Sequence, residues 1–146
     1  MSDVILDDKP PTSFWVFSGA ALVWNLIGLF FYVQQVTISP EALATLSQQQ
    51  QDLISQTPTW ATAAFALAVN TGVLASLFLL LRKAWAVPFF AVSLLSVIVQ
   101  DVDAFVLRGA FGIVGVNGVI IPGMVLIVAI LLLFYSRSAK RKRWIT

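Results

Sequence analysis

Four long apolar stretches constrain the fold of this chain more than any other feature of its sequence. They cover about residues 14–33, 60–81, 85–107 and 119–135, and charged residues are almost absent from them. A helix rises about 1.5 Å per residue, so roughly 17 to 25 residues cross a hydrocarbon layer of about 30 Å. The sequence therefore predicts four membrane-spanning helices.

The overall composition favours lipid as the solvent of these helices. Of the 146 residues, 59% are apolar and only 11% are charged, and the mean hydropathy is +0.90. A soluble domain of this size has too little interior to bury so much apolar surface. We predict an all-α fold made of one membrane domain, residues 1–146, in which two antiparallel hairpins form an integral membrane four-helix bundle.

A cleavable signal peptide is the alternative interpretation of the first stretch. Asp3, Asp7 and Asp8 occupy the region where a signal peptide carries basic residues, and no small-residue cleavage site follows Tyr32. We expect the first span to be retained.

The basic residues predict the orientation of the bundle. Eight of the nine Lys and Arg residues fall on one side of the predicted bundle, and only Arg108 falls on the other. Cytoplasmic connections of membrane proteins are enriched in Lys and Arg. Both termini are therefore expected in the cytoplasm.

The connection between the first two spans contains a helix signal. Ser39, Pro40 and Glu41 form a conventional helix start, and apolar residues follow at helical spacing. We predict a short amphipathic helix over about residues 40–56, lying on the outer leaflet of the membrane that the four helices cross. Its expected role is to cover the bundle and shorten the loop, and contact with a ligand or partner is the alternative.

Glycine recurs at every third position between the last two spans, at Gly109, Gly112, Gly115 and Gly118. This spacing indicates a flexible outer turn or a closely packed start of the fourth helix. A re-entrant or gating segment is the alternative.

The segment 136–146 is strongly basic. It contains a group of cations beside one tryptophan: Arg137, Lys140, Arg141, Lys142, Arg143 and Trp144. Such a group is attracted to anionic lipid headgroups. No nucleic-acid partner is expected, because a segment of this length beside a membrane makes a poor nucleic-acid module.

Polar residues inside the predicted spans are costly in hydrocarbon, so they are expected to face the protein interior. The candidates are Asn25, Asn70, Ser93, Ser96, Gln100, Asp101 and Asp103. One interpretation is that they form hydrogen bonds between helices. The other is that the first three spans surround a polar cleft that opens outward, with its mouth at residues 100–103. Arg108 follows Asp101 by seven residues, and a pair between them would indicate a structural role rather than a proton or cation site.

Enzyme chemistry lacks its usual components in this sequence. The chain has no His and no Cys, and it contains no phosphate loop or dinucleotide fingerprint. We predict a protein that is not an enzyme and that needs no metal and no cofactor.

Three segments resemble a family of small bacterial membrane proteins. They are residues 57–69 with 80–86, the run from Trp24 to Gly28, and the segment from Ser93 to Gln100. Members of that family are commonly labelled sugar transporters. The resemblance implies a four-helix protein of the bacterial inner membrane, and it implies transport as a possible activity.

Two functions follow as hypotheses. The first is a structural or accessory membrane protein without catalytic machinery, which forms a homo-oligomer or joins a larger complex through its aliphatic fourth helix. The second is a small transporter or channel for a sugar-like solute or an ion, which must oligomerise because four closely packed helices leave little room for a pathway.

Overall fold

The computed structural model describes residues 9–146, so Asp3, Asp7 and Asp8 lie outside the described residues. Within that range the chain forms helices and no strand, which confirms the predicted all-helical class. The helices are α1 (Thr12–Val36), α2 (Pro40–Ala44), α3 (Gln48–Ser55), α4 (Thr59–Leu80), α5 (Ala86–Asp101) and α6 (Phe111–Arg141), and a π-helical turn (Val102–Leu107) follows α5.

Four of these helices are long and apolar enough to cross a membrane, and they form a bundle. They are α1, α4, α6, and α5 taken together with the π-helical turn. Helix α4 packs against both α1 and α5, and α6 packs against α5. The loop end of the bundle holds residues 37–58 and 108–110, and the tail end holds residues 9–11, 81–85 and 142–146.

The buried core lies toward the tail end. Phe14, Leu79, Phe90 and Ile145 are almost fully buried there. The outward faces of the long helices are apolar and exposed instead, as Ile27 on α1 shows. Helices with apolar side chains on both their inner and outer faces are typical of a bundle whose surroundings are also apolar.

The connection between α1 and α4 contains two short helices rather than the single helix predicted over residues 40–56. Helix α2 begins as expected, because Ser39 accepts a hydrogen bond from the Ala42 N–H at 3.2 Å. The chain then breaks, and Ser47 starts α3 by exchanging hydrogen bonds with Gln50 in a capping box. This second cap divides the segment.

Helix α6 differs from the predicted fourth span in both its beginning and its end. It starts at Phe111 rather than near residue 119, and it continues to Arg141 rather than to residue 135. Gly115 interrupts it with a φ of 64° and a ψ of −167°, a backbone conformation that favours glycine. The glycine segment is therefore both a turn and the irregular first part of a helix.

The segment 136–146 is folded against the rest of the bundle. After α6 ends, the chain turns back onto the α4–α5 connection, where the Ala84 N–H donates to the Thr146 carbonyl and the Thr146 N–H donates to the Arg82 carbonyl, both at 2.9 Å. The Arg82 Nε donates to the Trp144 carbonyl at 2.7 Å. Ile145 enters the core with 1% of its surface exposed.

Candidate functional site

The first polar group of the bundle joins the middle of α1 to the second half of α4. Asn25 Nδ2 donates to the Ser76 hydroxyl at 3.1 Å and to the Ala21 carbonyl of its own helix at 2.9 Å. The Ser76 hydroxyl donates in turn to the Gly72 carbonyl at 2.9 Å. We call Asn25, Gly72, Ser76 and Ser93 the central polar junction.

Gly72 allows three helices to approach each other at this junction. A Cβ atom added to Gly72 would collide with the Asn25 amide oxygen and would lie 3.3 Å from the Ser93 hydroxyl oxygen. The Ser93 hydroxyl donates to the Ala68 carbonyl at 2.8 Å, which ties α5 to α4. The small residues Ala68, Gly72 and Ser76 recur at four-residue intervals, a spacing typical of close helix contacts in membranes.

The second polar group lies at the loop end. Asp103 and Arg108 form an ion pair with 2.6 Å between the Arg108 Nη2 and the Asp103 Oδ2. The Arg108 Nε donates to the same oxygen at 2.7 Å. Asp103 is 2% exposed and the Arg108 side chain is 18% exposed.

The π-helical turn determines which acid Arg108 contacts. The Arg108 N–H donates to the Asp103 carbonyl at 2.9 Å, which is the five-residue spacing of a π-helix. This widened turn places Asp103 beside Arg108. The partner is therefore Asp103 rather than Asp101, which the seven-residue spacing of an α-helix had favoured.

Arg108 also attaches the loop between α3 and α4 to the π-helical turn. Its Nη1 donates to the Leu53 carbonyl at 2.7 Å and to the Thr57 hydroxyl at 2.9 Å. The guanidinium group thus joins a carboxylate, a carbonyl and a hydroxyl at one point. We call Leu53, Thr57, Asp103 and Arg108 the loop-end clamp.

The remaining predicted polar residues do not form one stripe. The Ser96 hydroxyl is buried and donates to the Val92 carbonyl of its own helix at 2.9 Å. Gln100 and Asp101 are half-buried, and within residues 9–146 their side chains form no hydrogen bond or ion pair. The structure therefore brings Asn25 and Ser93 together at one depth and Asp103 and Arg108 together at another.

Asn70 lies elsewhere. It is exposed on α4, and in the part of the chain that the structure describes its Nδ2 donates only to the Ala66 carbonyl of the same helix, at 2.7 Å. The prediction that Asn70 bonds to a neighbouring helix of this bundle is therefore wrong.

Sequence reasoning missed Gly72, Ser76 and Thr57. The intervals between Ala68, Gly72 and Ser76 are a usable signal for a close helix contact, because small residues four apart share one helix face. Nothing in the sequence indicates the contact between Thr57 and Arg108, which are separated by 51 positions.

A basic groove lies at the tail end, between α5 and α6. Arg137, Lys140 and Arg141 line it together with the apolar side chains of Val87 and Phe134, and its volume is about 730 Å³. We call this the tail-end groove.

The other two cations of the segment lie apart from the tail-end groove. The Lys142 ammonium lies 4.5 Å from the centre of the Trp144 ring, and Arg143 occupies a turn with a φ of 58°.

No group of three acidic side chains within residues 9–146 is arranged to hold a metal ion. No protein-family model, curated protein or solved structure matches this chain.

Proposed function

We propose that this protein is a structural or accessory protein of the bacterial inner membrane, without catalytic machinery. The observation that carries the proposal is the hydrogen bonding of the central polar junction. At the central polar junction, the Asn25 amide group and the Ser76 and Ser93 hydroxyls donate to acceptors within the bundle. Polar groups used in this way hold helices together.

The loop-end clamp supports the same function. Its carboxylate is 2% exposed and is neutralised by Arg108. A carboxylate held in an internal ion pair is a poor site for a transported proton or cation, because release of Arg108 would leave the buried Asp103 carboxylate without a counter-charge.

The distribution of cations supports an orientation with the tail end in the cytoplasm. Arg82, Lys83 and the basic residues of the segment 136–146 lie at that end, and Arg108 lies at the other. This follows the enrichment of Lys and Arg on cytoplasmic connections. The segments around Trp24, Trp60 and Ser93 resemble a family of small bacterial membrane proteins. This resemblance supports a location in the bacterial inner membrane.

The tail-end groove fits an anionic phospholipid in the cytoplasmic leaflet. Arg137, Lys140 and Arg141 are placed to contact a phosphate group, and Val87 and Phe134 offer apolar surface to an acyl chain. Basic residues near an anionic leaflet gain roughly 1 kcal/mol each.

A small oligomeric transporter or channel is the second candidate, and one observation favours it. Gln100 and Asp101 lie half-buried near the end of α5, without a hydrogen-bond partner in the part of the chain that the structure describes. An intramembrane carboxylate of this kind marks transport pathways in other proteins. The label given to members of the resembling family agrees with this candidate.

Flux through reconstituted vesicles distinguishes the two candidates. Wild type, Asp101→Asn and the matched control Asp52→Asn, which changes an exposed acid in α3, are each assayed with sugars, protons and monovalent cations. The structural role predicts no flux above that of protein-free vesicles in any sample. Flux that is lost in Asp101→Asn and retained in Asp52→Asn would contradict it and support the transporter.

A further inference from the structure

Asn70 occupies the middle of α4 on the side facing away from the core. Helix α4 runs over 22 residues from Thr59 to Leu80, so Asn70 lies roughly 16 Å from either end at about 1.5 Å per residue. Its side chain is exposed, and its one hydrogen bond within residues 9–146 is to the Ala66 carbonyl at 2.7 Å. That carbonyl also accepts the backbone hydrogen bond of the helix.

The amide oxygen and the second amide hydrogen of Asn70 therefore lack partners among residues 9–146. In hydrocarbon no water is present to replace them, so each carries a desolvation cost. The exposed residues near the middles of α1 and α6, such as Ile27 and Ile127, are apolar instead. An exposed amide at this depth distinguishes α4 from these helices.

The residues around Asn70 form a regular exposed face. Its members are separated by alternating intervals of four and three residues and are Ala63, Leu67, Asn70, Leu74, Leu77 and Leu81. This is the spacing of the contact seam between two supercoiled helices. We call these residues the Asn70 face, and it lies opposite the buried face of α4 that contains Ala61, Ala68 and Ala75.

We propose that the Asn70 face binds the same face of a second copy of this chain, so that two α4 helices pack in parallel and the two Asn70 amides bond to each other. The inference rests on the membrane placement proposed above. Copies of one membrane protein insert in the same direction, so a twofold axis normal to the bilayer places Asn70 opposite Asn70 at the same depth.

The chemistry of the Asn70 amide favours a second copy of this chain as the partner. An asparagine side chain both donates and accepts, so two identical amides satisfy each other. Leu67 and Leu74 flank the amide on the same face and would pack against their counterparts. A single polar residue in such a seam fixes the register of the two helices. A different partner would need its own polar group at the same depth.

Cross-linking in native membranes tests the contact directly. The chain has no cysteine, so single substitutions can be oxidised without background. Leu67→Cys and Leu74→Cys are expected to give a disulfide-linked species of twice the chain mass. The controls Val73→Cys, on the flank of the same helix, and Ile127→Cys, on α6, are expected to give far less. Equal cross-linking at all four positions would contradict the proposal.

The contribution of the Asn70 amide to the dimer is tested by measuring the dimer dissociation constant in mild detergent. Asn70→Leu is expected to raise the dimer dissociation constant roughly 3- to 30-fold for each interhelical hydrogen bond that is lost. Asn70→Gln, which keeps an amide, is expected to retain most of the affinity. Because Asn70 is exposed and its side chain forms no hydrogen bond to another helix within residues 9–146, neither change should alter the helical circular dichroism. A monomeric wild type, or cross-links at the mass of another protein, would overturn the proposal.

Extraction separates this inference from the proposed function. Extraction of the chain from membranes by alkaline carbonate would contradict the proposed membrane placement. A chain that stays in the membrane but gives no cross-link at Leu67 or Leu74 would contradict only the dimer.

Discussion

Asp103, on the π-helical turn, and Arg108, which directly follows that turn, lie five residues apart and form a nearly buried ion pair with an N to O distance of 2.6 Å. The same guanidinium group donates to the Leu53 carbonyl in α3 and to the Thr57 hydroxyl in the loop before α4. One arginine therefore neutralises the acid and attaches the loop to the bundle.

Replacement of this arginine should destabilise the protein strongly. Arg108→Met leaves the Asp103 carboxylate buried without a counter-charge, and such losses cost about 3 to 5 kcal/mol. Unfolding in mild detergent, followed by circular dichroism, measures the change in the free energy of unfolding.

The double variant Arg108→Met with Asp103→Leu is the control. It removes both charges, so it should recover much of the loss while the contacts to the loop remain absent. A double variant that is less stable than Arg108→Met alone would show that the ion pair does not account for the effect.

Gly72→Ala should disrupt the central polar junction. The added methyl group collides with the Asn25 amide oxygen, and overpacking of this kind costs about 1 to 3 kcal/mol. The matched change Gly19→Ala meets no atom within 4 Å and should not destabilise the protein. Thermal unfolding of both variants measures the difference.

The cause of the Gly72→Ala effect is tested by a second change. Asn25→Ala removes the colliding group, so the pair Asn25→Ala with Gly72→Ala should be more stable than the sum of the two single effects predicts. Additive effects would indicate that Gly72 and Asn25 do not constrain each other.

The tail-end groove should select anionic lipid. Arg137→Gln with Lys140→Gln removes two of its three cations and, at roughly 1 kcal/mol per residue, should weaken binding of phosphatidylglycerol roughly 30-fold. Mass spectrometry of the protein released from micelles measures the lipid retained at each lipid concentration.

A variant with the same change in net charge controls for electrostatics at a distance. Lys142→Gln with Arg143→Gln alters cations that do not line the groove and should weaken binding much less. Equal losses in the two variants would mean that net charge, rather than the groove, holds the lipid.

The long helices of this fold are predictable from the sequence because hydrophobic length is a local property. Each apolar run contains its own signal, and the all-helical bundle follows from those signals. The bounds were less accurate at α6, because Gly115 permits an irregular backbone inside a helix. The loop between α1 and α4 was divided by the Ser47 cap, a signal that the spacing of its leucines concealed.

The polar contacts were predictable only in part. The cost of a polar side chain in hydrocarbon favours an interior position without identifying a neighbour, so it predicts Asn70 inside the bundle although the residue is exposed. The pairing of Arg108 with Asp103 depends on a π-helical turn, and the contact of Arg108 with Thr57 depends on how the α3–α4 loop packs. Tertiary packing decides both features.

We propose that the chain crosses the inner membrane four times with its tail end in the cytoplasm. Labelling single cysteines in intact cells with a maleimide that does not cross membranes tests this topology. Gln49→Cys, in the exposed first turn of α3, should react, and Lys142→Cys, at the tail end, should react only after the cells are permeabilised. Labelling of Lys142→Cys in intact cells, with Gln49→Cys protected, would contradict the account.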